Sequence, residues 1–255
     1  MVIEVIIPAY NEEKRIGATL ERIYTYASAS GLDLRVTVVE DGSRDRTPEI
    51  VEGLQARFPS LKLLRLERNR GKGAAVRAGM MAASEEADFL LLSDADLATP
   101  IEEIEWLLPH AEHTAVVIGS RALDRTLIQV HQPAHREFMG IVYNLFVQAF
   151  LLPGLWDTQC GFKLFRAAAA KEIFRDCRTD GFSYDVEALR LAVKRGYVVE
   201  EIPVRWFHVG ESKVRLASAP WAMFVELLTI SRRLGKGPRV SRSCAGAGFP
   251  RRIPS

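Results

Sequence analysis

Asp88-Phe89-Leu90-Leu91-Leu92-Ser93-Asp94-Ala95-Asp96 is an apolar run that opens onto two carboxylates. The run has the length of a buried strand. Strand geometry turns residues i and i+2 to the same side, so Asp94 and Asp96 can converge on one point. Two readings of that point are open: a solvated loop corner, or a seat for a hard divalent cation clamped to a diphosphate. The segments around the run say what kind of strand it is.

Strands are expected at Val2–Ile7, Leu34–Val39, Leu61–Leu66, Phe89–Leu92 and Ala115–Gly119. Helices are expected between them at Lys14–Ser28, Pro48–Phe58, Gly73–Glu85 and Pro100–Leu108, with Thr47 as N-cap and Pro48 at N1 of the second. Near-continuous apolar runs alternating with helices predict an α/β fold, a mostly parallel central sheet with helices on both faces. Such sheets bind ligands beyond the carboxyl ends of their strands. The polar motifs Pro8-Ala9-Tyr10-Asn11-Glu12, Glu40-Asp41-Gly42-Ser43 and Asp94-Ala95-Asp96 all fall there.

The second half reads differently. A long, largely apolar helix is expected at Arg136–Leu152, a loop over Asp157–Lys163, and helices around Ala167–Phe174 and at Tyr184–Arg195. A strand at Val198–Ile202 and an amphipathic helix at Ala219–Arg233 complete the reading. Residues 1–215 are expected to be the catalytic domain, 216–234 an amphipathic helix and 235–255 a basic disordered tail.

A chain of 255 residues buries a sizeable core. A formal net charge of +2 gives no footprint for nucleic acid. From Arg232 onward there are seven Lys or Arg and no Asp or Glu, so the basic character belongs to the tail. Cys160, Cys177 and Cys244 form no CxxC pair, which suits a reducing cytosol. The N-terminus enters a strand at once, leaving no room for a signal peptide. No apolar stretch reaches the roughly 20 residues that span a bilayer.

Each motif alone has an ordinary reading beside a functional one. A carboxylate at the end of a strand, as Asp41 is, can accept from a nucleobase imide N–H. Asn69-Arg70-Gly71-Lys72-Gly73 is a Gly-rich helix start; it is either an anion site built on free N–H groups and two cations, or solvated charge. Cys160 reads better as a packed thiol than as a nucleophile, because no His/Asn partner is evident. Ser183 suits an N-cap ahead of Tyr184-Asp185-Val186-Glu187. The histidines show no zinc-protease spacing, and His208 stays open because Lys213 and Arg215 lie near it in sequence.

Taken in order, these strings resemble the inverting family-2 glycosyltransferases. Those that carry the resemblance are Ile7-Pro8-Ala9-Tyr10-Asn11-Glu12-Glu13, Glu40-Asp41-Gly42-Ser43, Asn69-Arg70-Gly71-Lys72-Gly73, Asp94-Ala95-Asp96 and Gly119-Ser120-Arg121. Asp157–Lys163, Tyr184–Glu187 and Glu201–Val204 resemble the dolichyl-phosphate β-glucosyltransferase branch in particular. The resemblance implies a nucleotide-diphospho-sugar transferase fold of the A type. It also implies transfer of a hexose, glucose from UDP-glucose first, to a polyprenyl or dolichyl phosphate.

By motif position it gives the nucleotide sugar to Pro8, Tyr10, Asn11, Glu12, Glu40, Asp41, Lys72, Asp94 and Ala95. It gives Mg²⁺ or Mn²⁺ to Asp94 and Asp96, with His208 as a further candidate ligand. The acceptor phosphate falls to Arg121 and Arg136, with Ser212 and Lys213. A phosphate acceptor is already an oxyanion near pH 7 and needs no strong base. A hydroxyl acceptor, the second reading, needs one, and Asp157 or Asp185 would supply it. GDP-mannose is the alternative donor, and a nucleotidyltransferase or a nucleotide-sugar-binding protein is the reading from another class.

The eukaryotic members of that branch usually begin with a membrane-spanning helix, which this sequence does not show. Ile141–Trp156, Ala219–Leu234 and the basic tail are therefore expected either to dock on an anionic membrane surface or to pack on the core. The first alternative implies a cytoplasmic protein, peripheral on the inner face of the plasma membrane or on the cytosolic face of the endoplasmic reticulum.

Overall fold

The computed structural model describes residues 1–210 and 219–240. Its centre is a seven-stranded sheet of β1 (Val2–Ala9), β2 (Asp33–Glu40), β3 (Leu61–Arg65), β4 (Phe89–Ser93), β5 (Val116–Ser120), β7 (Phe162–Arg166) and β8 (Val199–Pro203). The spatial order is β3-β2-β1-β4-β7-β5-β8. All pairings are parallel except those of β7, which runs antiparallel to both β4 and β5. Two short strands, β6 (Ile128–Val130) and β9 (Trp206–Phe207), pair separately.

Side chains alternate across this sheet, so one strand feeds two cores. Ile3, Val5 and Ile7 of β1, with Leu91, Val117 and Leu164, belong to one cluster. That face is covered by α1 (Ile16–Ser30), α2 (Thr47–Gln55) and α4 (Ile104–Ala111). Ile6, Leu90, Leu92, Val116, Ile118 and Phe165 face the other cluster, beneath α3 (Lys72–Ala82), α6 (Ala167–Arg175) and α7 (Tyr184–Lys194). Helices thus lie on both faces, as the alternating pattern predicts.

The largest departure from that pattern is β7. Phe162-Lys163-Leu164-Phe165-Arg166 reads in sequence as the end of a loop, yet it is an interior strand of the sheet, between β4 and β5. Its pattern carries two cations, and only the fold pairs Lys163 with buried polar groups. Two caps also differ. Thr47 is the first helical residue rather than an N-cap, and its Oγ1 accepts the Glu12 N–H at 2.7 Å. Ser183 sits at the N-cap of α7 without capping it, donating instead to the Met223 carbonyl at 3.3 Å.

The helix α5 (Ala134–Phe150) packs beside α8 (Ala219–Leu234) through an edge-to-face contact of Phe146 and Phe224, centroids 5.2 Å apart. Leu227 and Ile230 of α8 and Val147 of α5 are buried. Residues 235–240, read from sequence as the start of the tail, run back over the body: Gly237 N–H donates to the Leu151 carbonyl and Val240 N–H to that of Pro153, both at 2.8 Å. Residues 241–255, the rest of that expected tail, lie outside the described residues.

Candidate active site at the carboxyl edge of the sheet

The strand order changes direction between β1 and β4: the chain moves from β1 outward to β2 and β3, then returns to the other side of β1. The crevice at such a reversal is where open α/β sheets take ligands. Loops from β1, β2, β4 and β5 converge there.

The β1 and β2 loops are laced together. Asn11, in the left-handed region at φ 54°, donates its N–H to Ser43 Oγ at 2.9 Å, and its Oδ1 accepts the Arg44 N–H at 2.7 Å. Glu12 carries an ion pair to Arg15 at 2.8 Å. Tyr10, Glu40, Gly42, Ser43 and Arg44 line one side of a cleft of about 560 Å³, with residues 65–69 on the other. Pro8 is half-buried, one residue before the end of β1.

Asp41 follows β2 and is buried. Its Oδ1 accepts the Arg70 N–H at 2.8 Å and its Oδ2 the Gly71 N–H at 2.9 Å. Burial pushes its carboxyl up, and these two donors oppose the push. These two bonds tie down the Gly-rich turn. Two N–H groups that open α3 are already engaged. Gly73 N–H donates to the Asp180 carbonyl at 2.8 Å and Ala74 N–H to the same oxygen at 3.3 Å. What the turn supplies is the Lys72 ammonium, 2.7 Å from Asp94 Oδ1.

Asp94 and Asp96 follow β4 as the opening strand predicts. Asp94 rests on Gly161, where a Cβ would stand 2.0 Å from its Oδ2. Asp96 accepts the Ala98 N–H at 3.0 Å. Burial and the Asp94 charge beside it push the Asp96 carboxyl up. Two hard oxygen donors in mutual repulsion fit a divalent cation, which would relieve that repulsion. Among the described residues no three His, Cys, Asp or Glu side chains cluster as a complete metal cage. His208 lies in a loop that Phe207 N–H joins to the Ala98 carbonyl at 2.8 Å, and its ring lies over Trp206. The structure does not gather it with the two aspartates into a three-ligand set.

Arg121 and Asp157 form the second centre. Arg121 Nε meets Asp157 Oδ2 at 2.7 Å and its Nη2 meets Oδ1 at 2.8 Å, while its own N–H adds a third bond at 2.8 Å. Burial would raise the Asp157 carboxyl, but the Arg121 charge and hydrogen bonds outweigh it and hold it below the ordinary range. Asp157 accepts from Arg121 on both oxygens and from the Cys160 N–H at 3.1 Å, and so fixes where the guanidinium points. Glu201 holds it from behind, accepting the Asp157 N–H at 2.8 Å and the Trp156 N–H at 2.9 Å. Arg121 also lies over the Trp206 ring at 5.5 Å. The Asp94 charge is also close enough to act on the Arg121 guanidinium.

Arg136 is in the first turn of α5, half-buried, with no ion pair among the described residues. Ser212 and Lys213 lie outside the described residues. Cys160 is a buried thiol 3.7 Å from Thr99 Oγ1, and burial pushes it up, as a packed thiol requires. Sequence reasoning missed Lys163, whose Nζ donates to the Cys160 carbonyl and lies 4.0 Å from Asp185 Oδ2. Burial pushes the Asp185 carboxyl up to about 6. A lysine flanked by Phe162 and Leu164 in a loop-like string gave no signal of this.

Three comparisons bear on this geometry. The profile of Glycosyl transferase family 2 matches residues 4–174. The dolichyl-phosphate β-glucosyltransferase ALG5C of Trichomonas vaginalis is 35% identical over 89% of this chain and 69% of its own length. The dolichyl-phosphate β-glucosyltransferase of Saccharomyces cerevisiae is 32% identical over 89% and 73%, and that of Homo sapiens 31% over 83% and 69%. Among solved structures, glucosyl-3-phosphoglycerate synthase of Mycobacterium tuberculosis in complex with UDP superposes with a TM-score of 0.64 at 16% identity, over 94% of this chain and 88% of that one. The mannosyltransferase PcManGT of Pyrobaculum calidifontis, in complex with GDP-Man and Mn²⁺, superposes at 0.59 and 21%, over 92% of this chain and 65% of its own.

Proposed function

The chain belongs to glycosyltransferase family 2, in the branch of the dolichyl-phosphate β-glucosyltransferases, and from that premise we propose that it moves glucose from UDP-glucose to a polyprenyl phosphate with inversion. The observation that carries the acceptor half is the Arg121–Asp157 pair. A guanidinium held through its Nε and Nη2 edge keeps its Nη1 end for a ligand, and guanidinium suits phosphate oxygens. The donor half rests on Asp94 and Asp96 with Lys72 beside them, at the strand reversal. A divalent cation held there supplies Lewis-acid neutralisation of the leaving diphosphate.

The chain's own residues do the rest. Tyr10, Glu40 and Ser43 border the cleft for the nucleoside. Lys72 adds positive charge where the sugar–phosphate bond breaks. Arg121 orients the acceptor, whose phosphate oxygen attacks the anomeric carbon as the nucleoside diphosphate departs. No proton is removed from the acceptor in that step, since a phosphate is already an oxyanion near pH 7.

The acceptor's lipid tail calls for an apolar surface, and one is present. Phe138, Ile141 and Leu145 of α5 are 66, 49 and 58% exposed, and Trp221 and Val225 of α8 are 72 and 45% exposed. Each set follows helical spacing along one stripe, and the two helices touch through Phe146 and Phe224. This face is our proposed peripheral contact with the membrane that holds the acceptor. No helix of the described residues is long and apolar enough to cross a membrane.

Replacing Arg121 with Ala tests the acceptor half. Loss of transfer to polyprenyl phosphate with UDP binding retained is expected; undiminished transfer would remove Arg121 from the reaction.

A further inference from the structure

The helix that carries half of the apolar face is also tied to the loop that holds Lys72. Glu226 of α8 accepts the Ser183 N–H at 3.0 Å, and its carboxylate lies against Gly181, where a Cβ would stand 1.9 Å from Oε1. Arg233, two turns further along α8, pairs with Glu187, whose carboxylate accepts the Thr179 N–H at 2.7 Å. One helix therefore grips both ends of the 179–183 segment.

The middle of that segment is locked to the Gly-rich turn. The Asp180 carbonyl accepts the Gly73 N–H, and a Cβ at Gly71 would stand 2.4 Å from the same oxygen. A Cβ at Gly73 would stand 2.3 Å from the Thr179 carbonyl. Backbone lies on backbone with no side chain between, so the two segments move as one. Lys72 stands between these two glycines, and its ammonium reaches Asp94 at 2.7 Å.

We propose that Glu226 is a positioning residue for donor binding: it seats the 179–183 segment, which sets the Lys72 ammonium against the diphosphate. The proposal rests on the reading of Lys72, Asp94 and Asp96 as the diphosphate site. It makes α8 a link between the lipid-facing surface and the donor, so that displacing this helix changes donor affinity.

Calorimetric titration of UDP, and of GDP as a second probe, in Mn²⁺ tests this on the full chain. Glu226→Ala and Gly181→Ala are expected to weaken UDP at least tenfold, on the order of the loss of one charge-assisted contact, while uridine affinity stays unchanged. Glu226→Gln, which keeps an acceptor oxygen for Ser183, is expected to stay near wild type. Thr229→Ala, on the exposed side of the same helix, serves as control. The double variant is expected to be no weaker than its worse single parent, because both changes act on one contact. Folded Glu226→Ala or Gly181→Ala protein with wild-type UDP affinity would overturn the proposal, as would equal losses for UDP and uridine. Wild-type protein that takes up neither UDP nor GDP would overturn the donor reading itself, and the proposal with it.

Discussion

Arg121 and Asp157 meet through two parallel N–H···O bonds of 2.7 and 2.8 Å, with the carboxylate 6% exposed and the guanidinium 23% exposed. This arrangement makes the carboxylate a holder of the guanidinium. Asp157→Asn leaves a partly buried cation with a neutral partner, expected to cost about 3 kcal/mol, the low end for breaking a buried pair. Because the native carboxyl is held low, its contribution is complete above the unfolded-chain value near 4 and is lost as pH falls through the native one. Thermal melts of both proteins should therefore differ at pH 7 and converge in acid; equal melts at pH 7 would dismiss the clamp.

Asp185 gives the opposite slope. Burial raises its carboxyl to about 6, so between about pH 4 and pH 6 the native state holds a proton that the unfolded chain has released. Its contribution to stability falls as pH rises through that window and is level above it. Asp185→Asn, which cannot titrate, is expected to flatten that part of the profile. A melting profile of unchanged slope between pH 4 and 6 would place the titration elsewhere.

Gly161 is a steric prediction. Its Cα lies under the Asp94 carboxylate, so Gly161→Ala drives a methyl into Oδ2. Loss of Mn²⁺-dependent UDP binding by about a hundredfold is expected, which is about 2.7 kcal/mol. The protein should still fold, because the displaced group is a half-exposed side chain end. Wild-type binding by this variant would mean that the Asp94 position is not used.

How much of this was legible in the chain depends on what each residue needs around it. The strands β1, β2, β4 and β5 are local apolar runs, and Asp94 and Asp96 are adjacent to one of them, so both could be read directly. The strand β7 could not: Lys163 breaks its pattern, and only the fold provides the Cys160 carbonyl and Asp185 that accept a buried ammonium. The bond from Asp41 to residues 70 and 71 and the bond from Asp157 to Arg121 join positions 29 to 36 residues apart. A motif string names those carboxylates without saying which donors will claim them. Glu201, which holds the Asp157 loop, and Gly161, which makes room for Asp94, were parts of recognised strings whose roles appear only in three dimensions.

The apolar face of α5 and α8 predicts vesicle binding. Phe138→Ser with Leu145→Ser removes two exposed side chains, each worth about 1.5–3 kcal/mol when fully buried. Co-sedimentation with anionic phospholipid vesicles should drop at least tenfold, while transfer to a short, water-soluble isoprenyl phosphate persists. Undiminished co-sedimentation would assign membrane contact to another surface.

Extraction of the lipid product reads the reaction itself. Purified protein is incubated with UDP-glucose, GDP-mannose or other nucleotide sugars, a polyprenyl phosphate, and either Mn²⁺ or EDTA. The expected result is a lipid-phosphate-linked glucose formed from UDP-glucose in Mn²⁺, lost in EDTA and reduced on the order of a hundredfold by Asp96→Asn. No lipid-linked sugar from any donor, or the same product with EDTA present, would contradict metal-dependent transfer to a lipid phosphate.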